Sequence, residues 1–197
     1  MRVGVFGGTF DPIHVGHLVA AVNVRHALSL DTLLLVVANV PWQKEFSRAI
    51  TSAEDRYAMV EAAVGDVPGL VASRIEIDQG GRSYTADTLK VVAAQYPGAE
   101  LFTVIGADVD ISSWERSEEI TALSTLVVVN RPGVPRRAQL PAELVEIPAL
   151  EVSSTDVRQR VVDGRPLDYL VPEGAIRCIR ARNLYADAPD DVDPSRT

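Results

Sequence analysis

Residues 7–17 read Gly7-Gly8-Thr9-Phe10-Asp11-Pro12-Ile13-His14-Val15-Gly16-His17. This stretch decides the fold, because it follows an apolar run at 3–6 that predicts a buried strand and leads into a helical pattern at 18–28. A glycine pair at a strand-to-helix turn lets backbone N–H groups approach a phosphate, and the helix N-terminus favours negative charge. His14 and His17 are three residues apart and therefore lie on one face of the first helical turn. The stretch predicts a site for a polyphosphate.

Other interpretations of this stretch stay open. A glycine pair after a strand is also a common tight turn, and His-x-x-His is also a metal-binding spacing. The only cysteine, Cys178, is distant, and no second histidine cluster could complete a zinc site. The glycine spacing differs from the dinucleotide fingerprint, and no Gly-Lys-Ser/Thr loop occurs, so nucleotide binding here requires a different device.

Strand and helix patterns alternate along the rest of the chain. Apolar runs predict strands at 3–6, 33–38, 70–77, 101–105 and 126–129. Helical periodicity follows at 18–28, 54–64, 85–95 and 118–123, with further helices starting at Ser153 or Ser154 and near 174–182. The stretch 131–148 is interpreted as a surface connection. This alternation predicts an α/β fold, a Rossmann-like doubly wound, mostly parallel sheet with helices on both faces. Ligands in such sheets bind beyond the carboxyl ends of the strands.

Composition sets the class of protein. We expect one domain over residues 1–185 and an acidic, disordered tail over 186–197, where four aspartates and one arginine supply −3 of the net charge of −8. The acidic balance argues against nucleic-acid binding, and no apolar run approaches a membrane span. One cysteine and no signal peptide indicate a cytoplasmic protein. The sequence does not determine the oligomeric state, and a homo-oligomer remains possible.

The motifs resemble those of one enzyme family. Residues 7–17 are similar to the signature of the HxGH nucleotidyltransferase superfamily, and Val152-Ser153-Ser154-Thr155-Asp156-Val157-Arg158 is similar to its ISSTxxR segment. The two segments are about 140 residues apart and are expected to meet at one site. Three further segments resemble bacterial nicotinate mononucleotide adenylyltransferases: 83–89 (SYTADTL), Gly106-Ala107-Asp108 with Trp114, and 129–133 (VNRPG). One departure is Val40-Pro41-Trp42-Gln43-Lys44, where relatives commonly have Pro-Pro-His-Lys.

The resemblance implies a reaction between two phosphates. The 5′-phosphate of nicotinate mononucleotide attacks the α-phosphorus of ATP, pyrophosphate leaves, and deamido-NAD forms. Mg²⁺ is expected on the triphosphate, held mostly by phosphate and water rather than by a cage of protein ligands, and no residue is assigned as a metal ligand. The attacking phosphate is already ionised near neutral pH, so we expect catalysis by positioning and charge stabilisation.

The resemblance also assigns roles to residues. The expected catalytic residues are His14, His17, Lys44 and Arg158. The residues expected to bind the acceptor are Lys44, Thr85 and Trp114. The residues expected to bind ATP are Gly7, Gly8, Thr9, Phe10, His14, His17, Gly106, Asp108, Arg131, Ser154, Thr155 and Arg158.

Several roles have a structural alternative. Asp108 binds the ATP ribose, lies near the metal, or caps a helix. Trp114 stacks on the pyridine ring or packs in the core, and Trp42 covers the site or anchors its loop. Asp87 caps or orients its own loop. Two other functions also stay open: an adenylyltransferase for another acceptor such as phosphopantetheine, and a nucleotide-binding regulatory module without turnover.

Overall fold

The computed structural model describes residues 1–41, 49–107, 109, 111, 114–130, 141–148 and 150–186. These residues form six strands: β1 (Arg2–Gly8), β2 (Thr32–Val37), β3 (Leu70–Ser73), β4 (Glu100–Gly106), β5 (Thr125–Val129) and β6 (Glu143–Val145). They also form seven helices: α1 (Val15–Ala27), α2 (Ala53–Val64), α3 (Ile75–Gln79), α4 (Thr85–Gln95), α5 (Ser117–Leu123), α6 (Ser154–Val162) and α7 (Glu173–Ala181).

The strands form a single sheet with order β3-β2-β1-β4-β5-β6, and every neighbouring pair is parallel. The chain builds one half of the sheet outward from β1 to β3, and then the other half from β4 to β6. The strand order therefore reverses between β1 and β4, which makes that gap the topological switch point. The predicted doubly wound α/β fold is confirmed, with a sheet that is parallel throughout.

Continuous apolar strands are buried on both faces. In β2, Leu33 and Leu35 belong to one core cluster, while Leu34 and Val36 belong to the other. Helices α1, α2, α6 and α7 contribute to the first cluster, and α4 and α5 to the second. This alternation explains why the strands read as unbroken hydrophobic runs.

Two predicted elements differ from the structure. The strand predicted over 70–77 ends at Ser73, and Ile75–Gln79 is a helix. The Ile-Glu-Ile alternation suggested a strand, but Glu76 is buried and accepts a hydrogen bond from Thr88 Oγ1 at 2.6 Å, so a tertiary contact overrides the local pattern. Within the predicted surface connection, Glu143–Val145 pairs with β5 as an edge strand. Only Val145 of its three residues is buried, which left no apolar run to detect.

Some predictions fall on other parts of the chain. Trp42, Lys44, Asp108 and Arg131 lie outside the described residues, as does the tail from 187 onward. Among the helices that the structure describes, none is long and apolar enough to cross a membrane.

Candidate active site

Two histidines stack at the start of α1. His14 is the N-cap residue and His17 is the third helical residue, so one turn brings the rings together. Their centroids are 3.8 Å apart with an interplanar angle of 28°.

The hydrogen bonding of His17 fixes its tautomer. The backbone N–H of His14 donates to His17 Nδ1 at 3.2 Å. Because Nδ1 accepts, the proton of the neutral ring is on Nε2, which is then a hydrogen-bond donor. Behind the ring, Phe10 makes an edge contact with centroids 5.0 Å apart. The His17 ring is therefore held from two sides, by the His14 N–H at Nδ1 and by the edge of Phe10.

Glycine occurs at positions 7, 8 and 16 of this stretch for different structural reasons. A Cβ at Gly7 would meet no atom within 4 Å, so its backbone is open to an approaching group. A Cβ at Gly8 would lie 2.7 Å from the Phe10 ring, and one at Gly16 would lie 3.1 Å from the His14 ring. The Phe10 side chain itself is buried, at 2% exposed, and its predicted role in ATP binding stays a prediction.

The two distant motifs meet, as predicted. Ser154 Oγ donates to the carbonyl of Pro12 at 2.9 Å, and Arg158 Nη1 donates to the carbonyl of Asp11 at 2.8 Å. Arg158 is 6% exposed, and its Nη2 also donates to Thr155 Oγ1 at 3.1 Å. Segment 152–158 therefore braces the loop that carries the histidines, and α6 begins at Ser154 as expected.

A cleft opens beside the histidines at the switch point. It is lined by the start of α1, by the ends of β4 and β5, and by the segment before α6: Phe6, His14, Gly16, His17, Ala20, Gly106, Val129, Asn130, Ile147, Pro148, Leu150 and Val152. The amide side chain of Asn130 fixes one wall, because its Oδ1 accepts from the Ile147 N–H at 2.7 Å. Of the residues assigned to ATP, His14, His17 and Gly106 line this cleft together.

A buried arginine supports the loops around the cleft. Arg56, 1% exposed, donates to the carbonyls of Thr51, Thr9 and Asn39 at 2.8, 2.8 and 3.0 Å. It thereby ties the glycine loop to the segment that follows β2. This role was not predictable from the sequence, because Arg56 follows Glu54 and Asp55 in the first turn of α2 and resembles an ordinary surface charge.

A second buried anchor is the carboxylate of Asp11. Its Oδ1 accepts from the Tyr185 hydroxyl at 2.7 Å. Burial, and then the charge of Asp11, raise the pKa of Tyr185 well above its usual range, so the hydroxyl stays protonated and donates. The end of the described chain is therefore fastened to the glycine loop.

The two segments assigned to the acceptor also come together. Thr85 is the first residue of α4, and the Ser83 hydroxyl before it accepts from the Asn39 N–H at 2.9 Å. Trp114 is partly buried and packs against the core cluster under α4 and α5. Asp87 and Arg116 join the two segments through a two-pronged ion pair at 2.7 and 2.6 Å. Asp87 therefore orients its loop, one of the two roles that the sequence left open.

Glu76 lies beneath the Ser83–Thr85 turn. Burial raises the pKa of its carboxyl group, opposed by hydrogen bonds from Ser83 and Thr88 and by the charge of Arg56. Like Arg56, it was not predicted from the sequence. Among the residues that the structure describes, no group of three or more histidine, cysteine, aspartate or glutamate side chains could hold a metal ion.

The comparisons with known proteins agree with this geometry. The cytidylyltransferase-like family model matches residues 5–160, and this class of Rossmann-like proteins is the one that the sheet and its cleft define. The chain is 49% identical to a "probable nicotinate-nucleotide adenylyltransferase" of Streptomyces coelicolor, over 91% of this chain and 98% of that protein. A protein of the same description from Mycolicibacterium vanbaalenii is 45% identical, over 98% and 96% of the two chains. The chain belongs to the nicotinate-nucleotide adenylyltransferase family, as the sequence motifs predicted.

A solved structure supports the fold independently. The nicotinic acid mononucleotide adenylyltransferase of Plasmodium falciparum, complexed with NaAD, superposes with a TM-score of 0.76 over 93% of this chain and 97% of that one. The two sequences are 19% identical, so this similarity concerns the fold alone.

Proposed function

We propose that this protein transfers the adenylyl group of ATP to nicotinate mononucleotide in NAD biosynthesis. An oxygen of the acceptor 5′-phosphate forms a bond to the α-phosphorus, the bond from that phosphorus to the β-phosphate oxygen breaks, and pyrophosphate leaves. The observation that carries the proposal is the stacked His14–His17 pair, which lines the cleft at the switch point of the sheet. We assign the reaction to the cytoplasm, since a lone cysteine suits a reducing compartment.

In this reaction the two histidines act as hydrogen-bond donors rather than as general bases. The acceptor phosphate is already an anion near neutral pH, so no proton has to be removed from it. Negative charge grows on the phosphate oxygens as the new bond forms, and a fixed N–H donor stabilises it without reorganising. His17 Nε2–H, oriented through Nδ1, is suited to that task, and His14 contributes from the same stack.

The remaining roles follow the family motifs. We assign the β- and γ-phosphates to Arg158 and to the start of α6 at Ser154 and Thr155, where helix N–H groups favour an anion. Gly7, Gly8, Thr9, Phe10, Gly106, Asp108 and Arg131 complete the ATP site. Lys44 binds the acceptor phosphate, and Thr85 and Trp114 bind the rest of the acceptor.

Magnesium enters with ATP. We expect the ion to be bound through phosphate oxygens and water, as part of the Mg–ATP substrate.

The proposal is tested by measuring pyrophosphate release from Mg–ATP with a panel of acceptors. The panel contains nicotinate mononucleotide, nicotinamide mononucleotide and phosphopantetheine. Release with nicotinate mononucleotide supports the proposal, and release only with phosphopantetheine overturns it. Binding of ATP without release for any acceptor would instead support the regulatory module.

Replacing Arg158 by alanine should weaken ATP binding more than binding of nicotinate mononucleotide. A hydrogen bond to a charged group contributes roughly 1.5–3 kcal/mol, or about one to two decades in affinity. Arg158→Lys should lose less ATP affinity than Arg158→Ala, because lysine keeps the positive charge but lacks the planar, two-pronged guanidinium group. Arg160→Ala is the matched control, since Arg160 pairs with Asp156 on the same helix. Calorimetry that finds unchanged ATP affinity in Arg158→Ala would refute the role.

Replacing Trp114 by alanine should raise the KM for the acceptor. A ring stacked on an aromatic side chain contributes roughly 1–3 kcal/mol by analogy with nucleic-acid bases. Trp114→Phe, which keeps an aromatic face, should stay nearer the wild type. The melting temperature is measured in parallel, because Trp114 also packs against the core. A lower melting temperature with an unaltered KM would identify Trp114 as a packing residue.

A further inference from the structure

Arg116 occupies a junction between two helix starts. It is the N-cap residue of α5, in a left-handed conformation with φ 59° and ψ 39°. Its carbonyl accepts from the N–H groups of Glu119 and Ile120 at 3.0 and 3.2 Å, so its backbone opens the helix. Trp114 lies two residues before it. The position of Arg116 therefore constrains the path of the Trp114 segment.

The side chain of Arg116 contacts the start of α4 on both sides of Thr85. Nη1 and Nη2 donate to the two carboxylate oxygens of Asp87 at 2.7 and 2.6 Å. The guanidinium carbon also lies 5.6 Å from the ring centre of Tyr84, the N-cap residue of α4. Because the planar guanidinium group makes two parallel hydrogen bonds to the carboxylate, it fixes both the distance and the relative orientation of the two side chains. One arginine thus locks the first turn of α4 to the first turn of α5.

The charges of the pair are matched. Hydrogen bonds from Arg116 lower the pKa of Asp87, with smaller contributions from the charges of Arg116 and Lys90. Asp87 is consequently ionised at neutral pH and engaged by a cation. Both side chains are partly exposed, so the pair contributes little to global stability, and its value lies in geometry.

We propose that the Asp87–Arg116 pair is a positioning device for the acceptor, setting affinity for nicotinate mononucleotide by fixing the Thr85 turn against the Trp114 segment. This inference rests on the proposed function, in which those two segments form the acceptor site. Neither Asp87 nor Arg116 needs to touch the substrate. Their loss lets the two segments move apart, and small displacements of binding groups have large effects on productive binding.

The chain supplies a matched control. Lys90 and Glu119 form a second ion pair between the same two helices, at 2.6 Å, in which the carboxylates of the two pairs are similarly exposed and Lys90 is more exposed than Arg116. It lies farther along both helices than Asp87 and Arg116. If breaking any ion pair between α4 and α5 were enough to weaken acceptor binding, substitutions in both pairs would raise the KM for nicotinate mononucleotide equally.

The test compares Asp87→Asn and Arg116→Asn with Lys90→Gln and Glu119→Gln. Asparagine suits position 116 because it tolerates the left-handed conformation. We expect the first two variants to raise the KM for nicotinate mononucleotide about ten-fold, with little change in kcat or in the KM for ATP. The two controls should stay within about two-fold of the wild type. The exchange Asp87→Arg with Arg116→Asp should recover part of the lost affinity.

Two results overturn the inference. One is an unchanged acceptor KM in both Asp87→Asn and Arg116→Asn while the wild type is active. The other is an equal rise in KM for both substrates, which indicates general loosening. A wild type without turnover of nicotinate mononucleotide would instead refute the proposed function.

A readout without substrate keeps the positioning role testable in that case. In a Trp42→Phe background Trp114 is the only tryptophan. Asp87→Asn should make its fluorescence more accessible to acrylamide than Glu119→Gln does. Equal quenching in the two variants would overturn the positioning role.

Discussion

Alanine at position 17 should lower kcat about 10²–10³-fold, the usual effect of removing one preorganised donor to a developing charge. Binding of ATP should change far less, because the donor acts on charge that grows only as the reaction proceeds. The structure gives this expectation a specific atom. His17 Nδ1 is occupied by the His14 N–H, so Nε2–H is the group that the substitution removes.

Two further variants make the His17 test specific. His17→Gln keeps an N–H donor and should retain more activity than His17→Ala. His26→Ala changes an exposed histidine in the last turn of the same helix and should behave as the wild type. Single-turnover rates and ATP affinity are measured for all three. Turnover of His17→Ala within a few-fold of the wild type would mean that the imidazole only caps the helix.

The fold was predictable because its signals are strong and local. Strands β1, β2, β4 and β5 carry continuous apolar runs because they are buried on both faces, as successive residues of β2 show by facing opposite core clusters. The histidine pair was predictable for the same reason. Residues three apart at a helix start lie on one face whatever surrounds them.

What the sequence could not predict depends on contacts between distant residues. Glu76 stabilises a helix where alternation suggested a strand, because Thr88 and Ser83 satisfy its buried carboxyl group. Arg56 makes three bonds to backbone carbonyls, and carbonyls have no sequence signature. The fork between Asp87 and Arg116 spans 29 residues, and either residue alone resembles an ordinary surface charge.

The same fork bears on which acceptor is preferred. A carboxylate near the pyridine ring would favour the amide of nicotinamide mononucleotide, whose two N–H donors need acceptors. Asp87 is the acidic residue in the first turn of α4, and Arg116 already occupies both of its oxygens. It is therefore poorly placed to accept from an amide. Backbone N–H groups at the start of α4 suit an anion instead.

The protein should accordingly prefer nicotinate over nicotinamide mononucleotide, by about 10²-fold or more in kcat/KM. Discrimination of this size is expected when the wrong substrate both loses an attraction and leaves polar groups unpaired. The ratio of kcat/KM for the two acceptors is measured at fixed Mg–ATP. Arg116→Asn should lower the ratio, because it frees the Asp87 carboxylate to accept from the amide, whereas Glu119→Gln should leave it unchanged. A wild-type ratio near one would mean that the start of α4 does not recognise the carboxylate on the pyridine ring of nicotinate mononucleotide. The pocket would then accept pyridine mononucleotides without regard to their charge.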